Sequence, residues 1–134
     1  MGYMTNGLSF STLREANKQR LPLFKNSKGE PAHSKPDGSD WSPAQWLQAV
    51  TGELGEYANL RKKFERGDID IEKFKIEAKK ELADVAIYLD ILAFQLDIEL
   101  GEAVKEKFNE VSERIKCKVF IGDDDDWHIN PKYK

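Results

Sequence analysis

Leu82-Ala83-Asp84-Val85-Ala86-Ile87-Tyr88-Leu89-Asp90-Ile91-Leu92-Ala93-Phe94-Gln95-Leu96 is the stretch that decides how the rest of the chain is read. Twelve of its 15 residues are apolar, and only Asp84, Asp90 and Gln95 are polar. A helix apolar nearly all round is surrounded by protein, in a domain core or at a subunit interface. The run is too short to cross a bilayer and carries two aspartates. An acid inside such a run is rarely buried without a partner. For Asp84 that partner is either a structural lysine or arginine, or a cation.

The pattern around it predicts one long helix from Ile71 to Leu96. A second precedes it, with Ser42 as N-cap, Pro43 at the first helical position and Gln45 completing a capping box. Trp46, Val50, Leu54, Tyr57, Leu60 and Phe64 recur there at three- and four-residue spacing, and Arg66-Gly67-Asp68 ends the pattern. Leu100, Ala103, Val104, Phe108, Val111 and Ile115 mark a third helix, from about Leu100 to Ile115, with a narrow bundle-type stripe. A short N-terminal helix is expected over Phe10 to Leu21, with Thr12 and Glu15 at capping-box spacing and Pro22 as the stop. Lys25 to Asp40 reads as a polar loop of about 16 residues, a length that is usually functional or disordered. Val119-Phe120-Ile121 is too short to classify; Asp123 to Asp126 reads as an acidic turn and Trp127 to Lys134 as a tail. The expected fold is all-α, a bundle of three to four helices. It divides into an N-terminal helix and loop (1–41), a helical core (42–118) and a C-terminal tail (119–134).

Composition narrows the function. The chain has 134 residues, enough for one domain, with 21 Lys+Arg against 24 Asp+Glu and a net charge of −3. A sequence pI near 5.5 argues against a nucleic-acid polymer as partner, since phosphate contacts need a surplus of basic residues. The single cysteine, Cys117, cannot form an internal disulfide and is expected to be inert in a reducing cytoplasm. No secretory leader and no membrane span are read.

Two acidic pairs carry the chemistry. Glu53 and Glu56 lie three apart on one long helix, Glu81 and Asp84 three apart on the other. Residues at i and i+3 differ by about 60° around the axis, so each pair leaves one side of its helix. Both pairs flank apolar stripes, and antiparallel packing of the two helices would bring four carboxylates into a partly buried site. Such a cluster is costly unless protonated or neutralised. Oxygen donors without histidine or cysteine describe a hard-cation site, Mg²⁺ first and Mn²⁺ as a substitute. Zinc lacks its usual ligands. A di-iron bundle would want Glu-x-x-His pairs, whereas His33 falls in the loop and His128 in the tail. Against this stands the plain alternative that Glu-x-x-Glu on a charged helix is a solvated face.

Other side chains invite either role. Lys62 and Lys63 at the end of the first long helix, and Lys79 and Lys80 before Glu81, could reach a phosphate or simply face solvent. Tyr88, one turn after Asp84, and Trp41, at the end of the polar loop, could stack on a base or fill the core. The apolar excess of Leu82 to Leu96 exceeds what two neighbouring helices cover, which points to a homodimer or a dimer of dimers (homotetramer).

With Glu53-Leu54-Gly55-Glu56, 24 intervening residues and Glu81-Leu82-Ala83-Asp84, the sequence resembles the MazG-like all-α nucleoside triphosphate pyrophosphohydrolases. The likeness covers about residues 42–116, through Asp97-Ile98-Glu99-Leu100-Gly101-Glu102-Ala103-Val104 and Lys107-Phe108-Asn109-Glu110. It departs from the family's Glu-Glu-x-x-Glu at Gly52, which leaves the number of metal ions open. The resemblance implies that Glu53, Glu56, Glu81 and Asp84 bind Mg²⁺ and that a (deoxy)nucleoside triphosphate is hydrolysed to monophosphate and pyrophosphate. In that chemistry a carboxylate-held metal activates the attacking water and Glu53 or Glu56 serves as general base. It further implies substrate contacts from Lys107 and Asn109 and a role in house-cleaning of the nucleotide pool. The competing expectations are a non-catalytic helical oligomerisation module and a metal-dependent nucleotide sensor, the latter encouraged by Gly52.

Overall fold

The computed structural model describes residues 7–31, 35 and 37–133, and they are mostly helical. Four helices appear among them: α1 (Phe10–Arg20), α2 (Pro43–Glu65), α3 (Ile71–Gln95) and α4 (Leu100–Arg114). A short 3-10 turn over Leu21–Leu23 extends α1, and strands β1 (Val119–Ile121) and β2 (Trp127–Ile129) follow α4. The chain forms two compact units, Met1–Asp97 and Ile98–Lys134.

In the first unit α2 and α3 make an antiparallel hairpin. Ser42 starts α2 as the pattern requires: its Oγ accepts from Gln45 N at 3.2 Å, and Gln45 Oε1 accepts from Ser42 N at 2.8 Å. A cap of this kind stabilises a helix by about 1 kcal/mol. The stop at Arg66-Gly67-Asp68 is a Schellman motif, with Asp68 N donating to Lys63 O at 2.9 Å and Gly67 N to Phe64 O at 3.0 Å. Gly67 sits at φ 82°, a region that side chains disfavour. Asp70 then caps α3 by accepting from Lys73 N at 2.8 Å. Along the hairpin Phe64 stacks on Phe74 at 4.7 Å, while Trp46 meets Tyr88 at 6.4 Å near the other end. Leu21, Trp46 and Ile91 form the fully buried core, with Phe24, Trp41, Ile87, Tyr88 and Leu92 packed around it.

Helix α1 docks on α3 through a buried polar clasp. Asp90, 1 % exposed, receives Arg14 Nε at 3.2 and 3.3 Å and Asn17 Nδ2 at 2.9 Å. Two expectations are corrected here. The cap of α1 is Ser9, whose Oγ accepts from Thr12 N, because the helix begins at Phe10 and Thr12 already lies inside its first turn. The segment after Leu23 is not uniformly irregular: Lys25 bridges Pro31 around a turn in which Asn26 Oδ1 accepts from Lys28 N and Glu30 N. His33 lies outside the described residues.

The second unit corrects the tail. Residues 119–121 and 127–129 pair antiparallel, Val119 opposite Ile129, around an Asp-rich turn with Asp125 at φ 62°. Asn109 ties α4 to β1, its Nδ2 donating to Ile121 O and its Oδ1 accepting from Ile121 N, both at 2.8 Å. Strands of three residues are too short to leave a period in the sequence, and their pairing depends on this helix amide and on the turn.

Candidate metal centre

Glu53 on α2 and Glu81 and Asp84 on α3 come together across the hairpin. One carboxylate oxygen from each lies within 4.8 Å of the others, and all three residues are half-buried. Their meeting follows from the pairing of the stripes. Glu53 lies seven residues after Trp46, about 20° around the axis, so it shares the face that packs on α3. Glu56, exposed, stands at the solvent edge of the group, within hydrogen-bonding reach of Glu53 and Glu81. The closest convergence is therefore of three acids, with Glu56 beside them.

The electrostatics are those of an uncompensated cluster. Glu53 is pushed up to about 7, by burial first and then by the charges of Glu56 and Asp84 and shared hydrogen bonds with Glu81 and Glu56. Glu81 is raised as well, by burial first and then by Glu56. Tyr88, one helical turn beyond Asp84 on α3, is raised by burial first and then by the charges of Glu53 and Asp84. Among the described residues no lysine or arginine forms an ion pair with Glu53, Glu56, Glu81 or Asp84. Glu81 Oε2 is buried with no hydrogen-bond partner. Neighbouring carboxylates supply a donor only when one of them is protonated, so this oxygen lacks a partner when all are ionised. An orphaned buried acceptor amid oxygen donors suits a hard divalent cation such as Mg²⁺ or Mn²⁺.

Tyr88 joins the acidic group, whereas Trp41 is half-buried and packs on Trp46 at 4.8 Å, at the edge of the core. Lys62 lies off the Glu56 face, while Lys63, seven residues on, lines a cavity with Glu56 and Glu81. Lys80 pairs with Glu77 at 3.7 Å, and Lys79 is exposed. In the second unit Lys107 pairs with Glu110 at 3.0 Å, and the Asn109 amide is engaged by β1. His128 binds Asp124 at 2.9 Å, and Cys117 Sγ accepts from Val119 N. A Cβ at Gly52 would meet nothing within 4 Å, so the position is open. Sequence reasoning missed Lys73, which lines the same cavity from the first turn of α3.

No protein-family model, curated protein or solved structure matches the chain. No helix of the described residues is long and apolar enough to cross a membrane.

Proposed function

We propose that this protein is a Mg²⁺-dependent nucleoside triphosphate pyrophosphohydrolase, releasing nucleoside monophosphate and pyrophosphate. The observation that carries the reading is the contrast within one apolar run. Asp90 has its arginine, while Asp84 faces Glu53 and Glu81 with no basic partner among the described residues. A fold that needed only a satisfied acid would have supplied a cation-bearing side chain, as it does for Asp90. The resemblance to the MazG-like enzymes, borne by Glu53, Glu56, Glu81 and Asp84, supplies the reaction and the house-cleaning role.

Glu53, Glu81 and Asp84 would hold the cation, with Glu56 at the rim. When bound, Mg²⁺ would neutralise phosphate oxygens and lower the pKa of a coordinated water. Glu53 or Glu56, through a carboxylate oxygen that the cation leaves free, would serve as general base, Glu56 from the solvent side. Tyr88 would orient the nucleotide from the Trp46 side. Most of the rate enhancement would come from positioning and charge stabilisation.

Incubation with a dNTP panel and Mg²⁺, followed by ion-exchange resolution of products, tests this. Monophosphate with pyrophosphate supports the enzyme, and a Glu81→Gln variant as active as the parent removes the site. Binding without turnover would favour the sensor, which Gly52 encourages. Neither binding nor turnover would favour a helical oligomerisation module, which the exposure of Leu82, Leu89 and Leu96 encourages (51 %, 40 % and 50 %). Leu82 and Leu89 lie seven apart on one face of α3 with Leu96 at its C-cap, and the same exposure supports self-association of the enzyme as a homodimer or homotetramer. A cytoplasmic setting fits the nucleotide substrate.

A further inference from the structure

A cavity of about 410 Å³ opens between the second half of α2 and the first half of α3, lined by Glu56, Asn59, Lys63, Lys73, Glu77 and Glu81 among others. Glu56 and Glu81 also belong to the acidic group, so the cavity is continuous with the candidate metal centre. One lysine comes from each helix. Among the described residues neither Lys63 nor Lys73 forms an ion pair, although Glu77 is close enough to Lys80 to pair at 3.7 Å.

Taking Glu53, Glu81 and Asp84 as cation ligands, on which this rests, we propose that the cavity receives the distal phosphates of the triphosphate, with Lys63 and Lys73 pairing with their oxygens. Helical side chains lean toward their own N-terminus, so Lys63 reaches back over Asn59 toward Glu56. The hairpin is then ordered by chemistry along its length. Half-buried Tyr88, backed by the buried Trp46, lies at one end, the carboxylates in the middle and the two ammonium groups at the other end. That order matches an aromatic base, phosphates beside the cation and a terminal anion.

The lining also sets a condition. Glu56, Glu77 and Glu81 outnumber the two lysines, so the cavity by itself repels a polyanion, and phosphate enters only when a divalent cation offsets the carboxylates. Lys63 also complements the carbonyl end of α2, a role it shares with Lys62. Its position beside Glu56 and Glu81 is what Lys62 lacks.

The test is calorimetric titration of inorganic tripolyphosphate into the full chain, with Mn²⁺ in excess over both, alongside titration of Mn²⁺ alone. The parent is expected to bind tripolyphosphate with Mn²⁺ and not without it. Lys63→Ala/Lys73→Ala is expected to lose at least tenfold in tripolyphosphate affinity while binding Mn²⁺ as the parent does. The charge-matched Lys28→Ala/Lys75→Ala variant, at exposed positions away from the cavity lining, should bind both as the parent does. Equal tripolyphosphate affinity in the Lys63/Lys73 variant, or tight binding to the parent without cation, overturns the phosphate assignment and leaves the metal reading standing. A parent that takes up no Mn²⁺ overturns both.

Discussion

Asp84 and Asp90 stand six residues apart on α3 and meet opposite surroundings: Arg14 and Asn17 clasp Asp90, while Glu53 and Glu81 crowd Asp84. Six residues turn a helix by about 240° net, so one aspartate faces α1 and the other faces α2. One holds the fold together, and the other lies among carboxylates with no basic partner among the described residues.

Removing that charge without a cation should help the fold. Glu53→Gln relieves repulsion from Glu56 and Asp84, so the metal-free variant is expected to melt at or above the parent. Adding Mn²⁺ at about a hundred times its dissociation constant should stabilise the parent by about 2.7 kcal/mol, a rise of several degrees in Tm. Glu53→Gln and Asp84→Asn should gain little or nothing. Thermal scans with and without Mn²⁺ decide this; equal gains in parent and variants would exclude these ligands.

The pH dependence has a definite sign. Glu53 rises from 4.5 to about 7, so the folded chain holds its proton more tightly than the unfolded one. Its contribution to metal-free stability is intact below about 4.5 and is lost as pH climbs through about 7. Cation binding needs the ionised form, so Mn²⁺ affinity should climb with pH up to about 7 and level off above it. Titrations between pH 5.5 and 8 measure the step, and Glu53→Gln should flatten it.

Breaking the clasp has the opposite character. Arg14→Met strands a buried carboxylate, which costs about 3–5 kcal/mol. Urea unfolding should show a lower midpoint, with partial recovery in Arg14→Met/Asp90→Leu, where both charges are gone. At temperatures where the variant stays folded, its Mn²⁺ affinity should equal the parent's, because the clasp and the acidic group lie on different faces of α3.

Gly52 offers a gain. A Cβ there meets nothing within 4 Å, and glycine inside a helix costs about 0.5–1 kcal/mol relative to alanine. Gly52→Glu should fold, and it places a further carboxylate one turn from Glu56. The expected outcome is a second, weaker Mn²⁺ in a calorimetric titration; a single ion in both proteins would mean that this position lies outside the site.

Self-association is testable on the α3 face. Leu82→Glu/Leu89→Glu should remain helical, since both side chains are about half exposed within the chain. Sedimentation at micromolar concentration should show an oligomer for the parent and a monomer for the variant.

The helices were legible because each carries its own punctuation. Ser42-Pro43, Gly67 and the 3.6 period act within a few residues, and local chemistry decides them. The convergence of Glu53, Glu81 and Asp84 was legible for the same reason, since the helices that bear them are sequence neighbours. The partner of Asp90 was not, because Arg14 lies 76 residues away and no local pattern encodes that meeting. Lys63 could have been separated from Lys62 by helical geometry alone: a seven-residue step returns to the Glu56 face, and a six-residue step leaves it. The β1–β2 pairing rests on Asn109 and a tight turn, and neither signals itself in three-residue strands.

The five-residue link between α2 and α3, residues 66–70, has a kinetic corollary. Closing so short a connection sacrifices little chain entropy, whereas docking α1 requires a large excursion of the polypeptide to be drawn in. The hairpin should therefore assemble ahead of the clasp, so that the acidic residues meet in the earliest-forming part of the molecule. A cation present during refolding would then accelerate the first step and not merely reward the last.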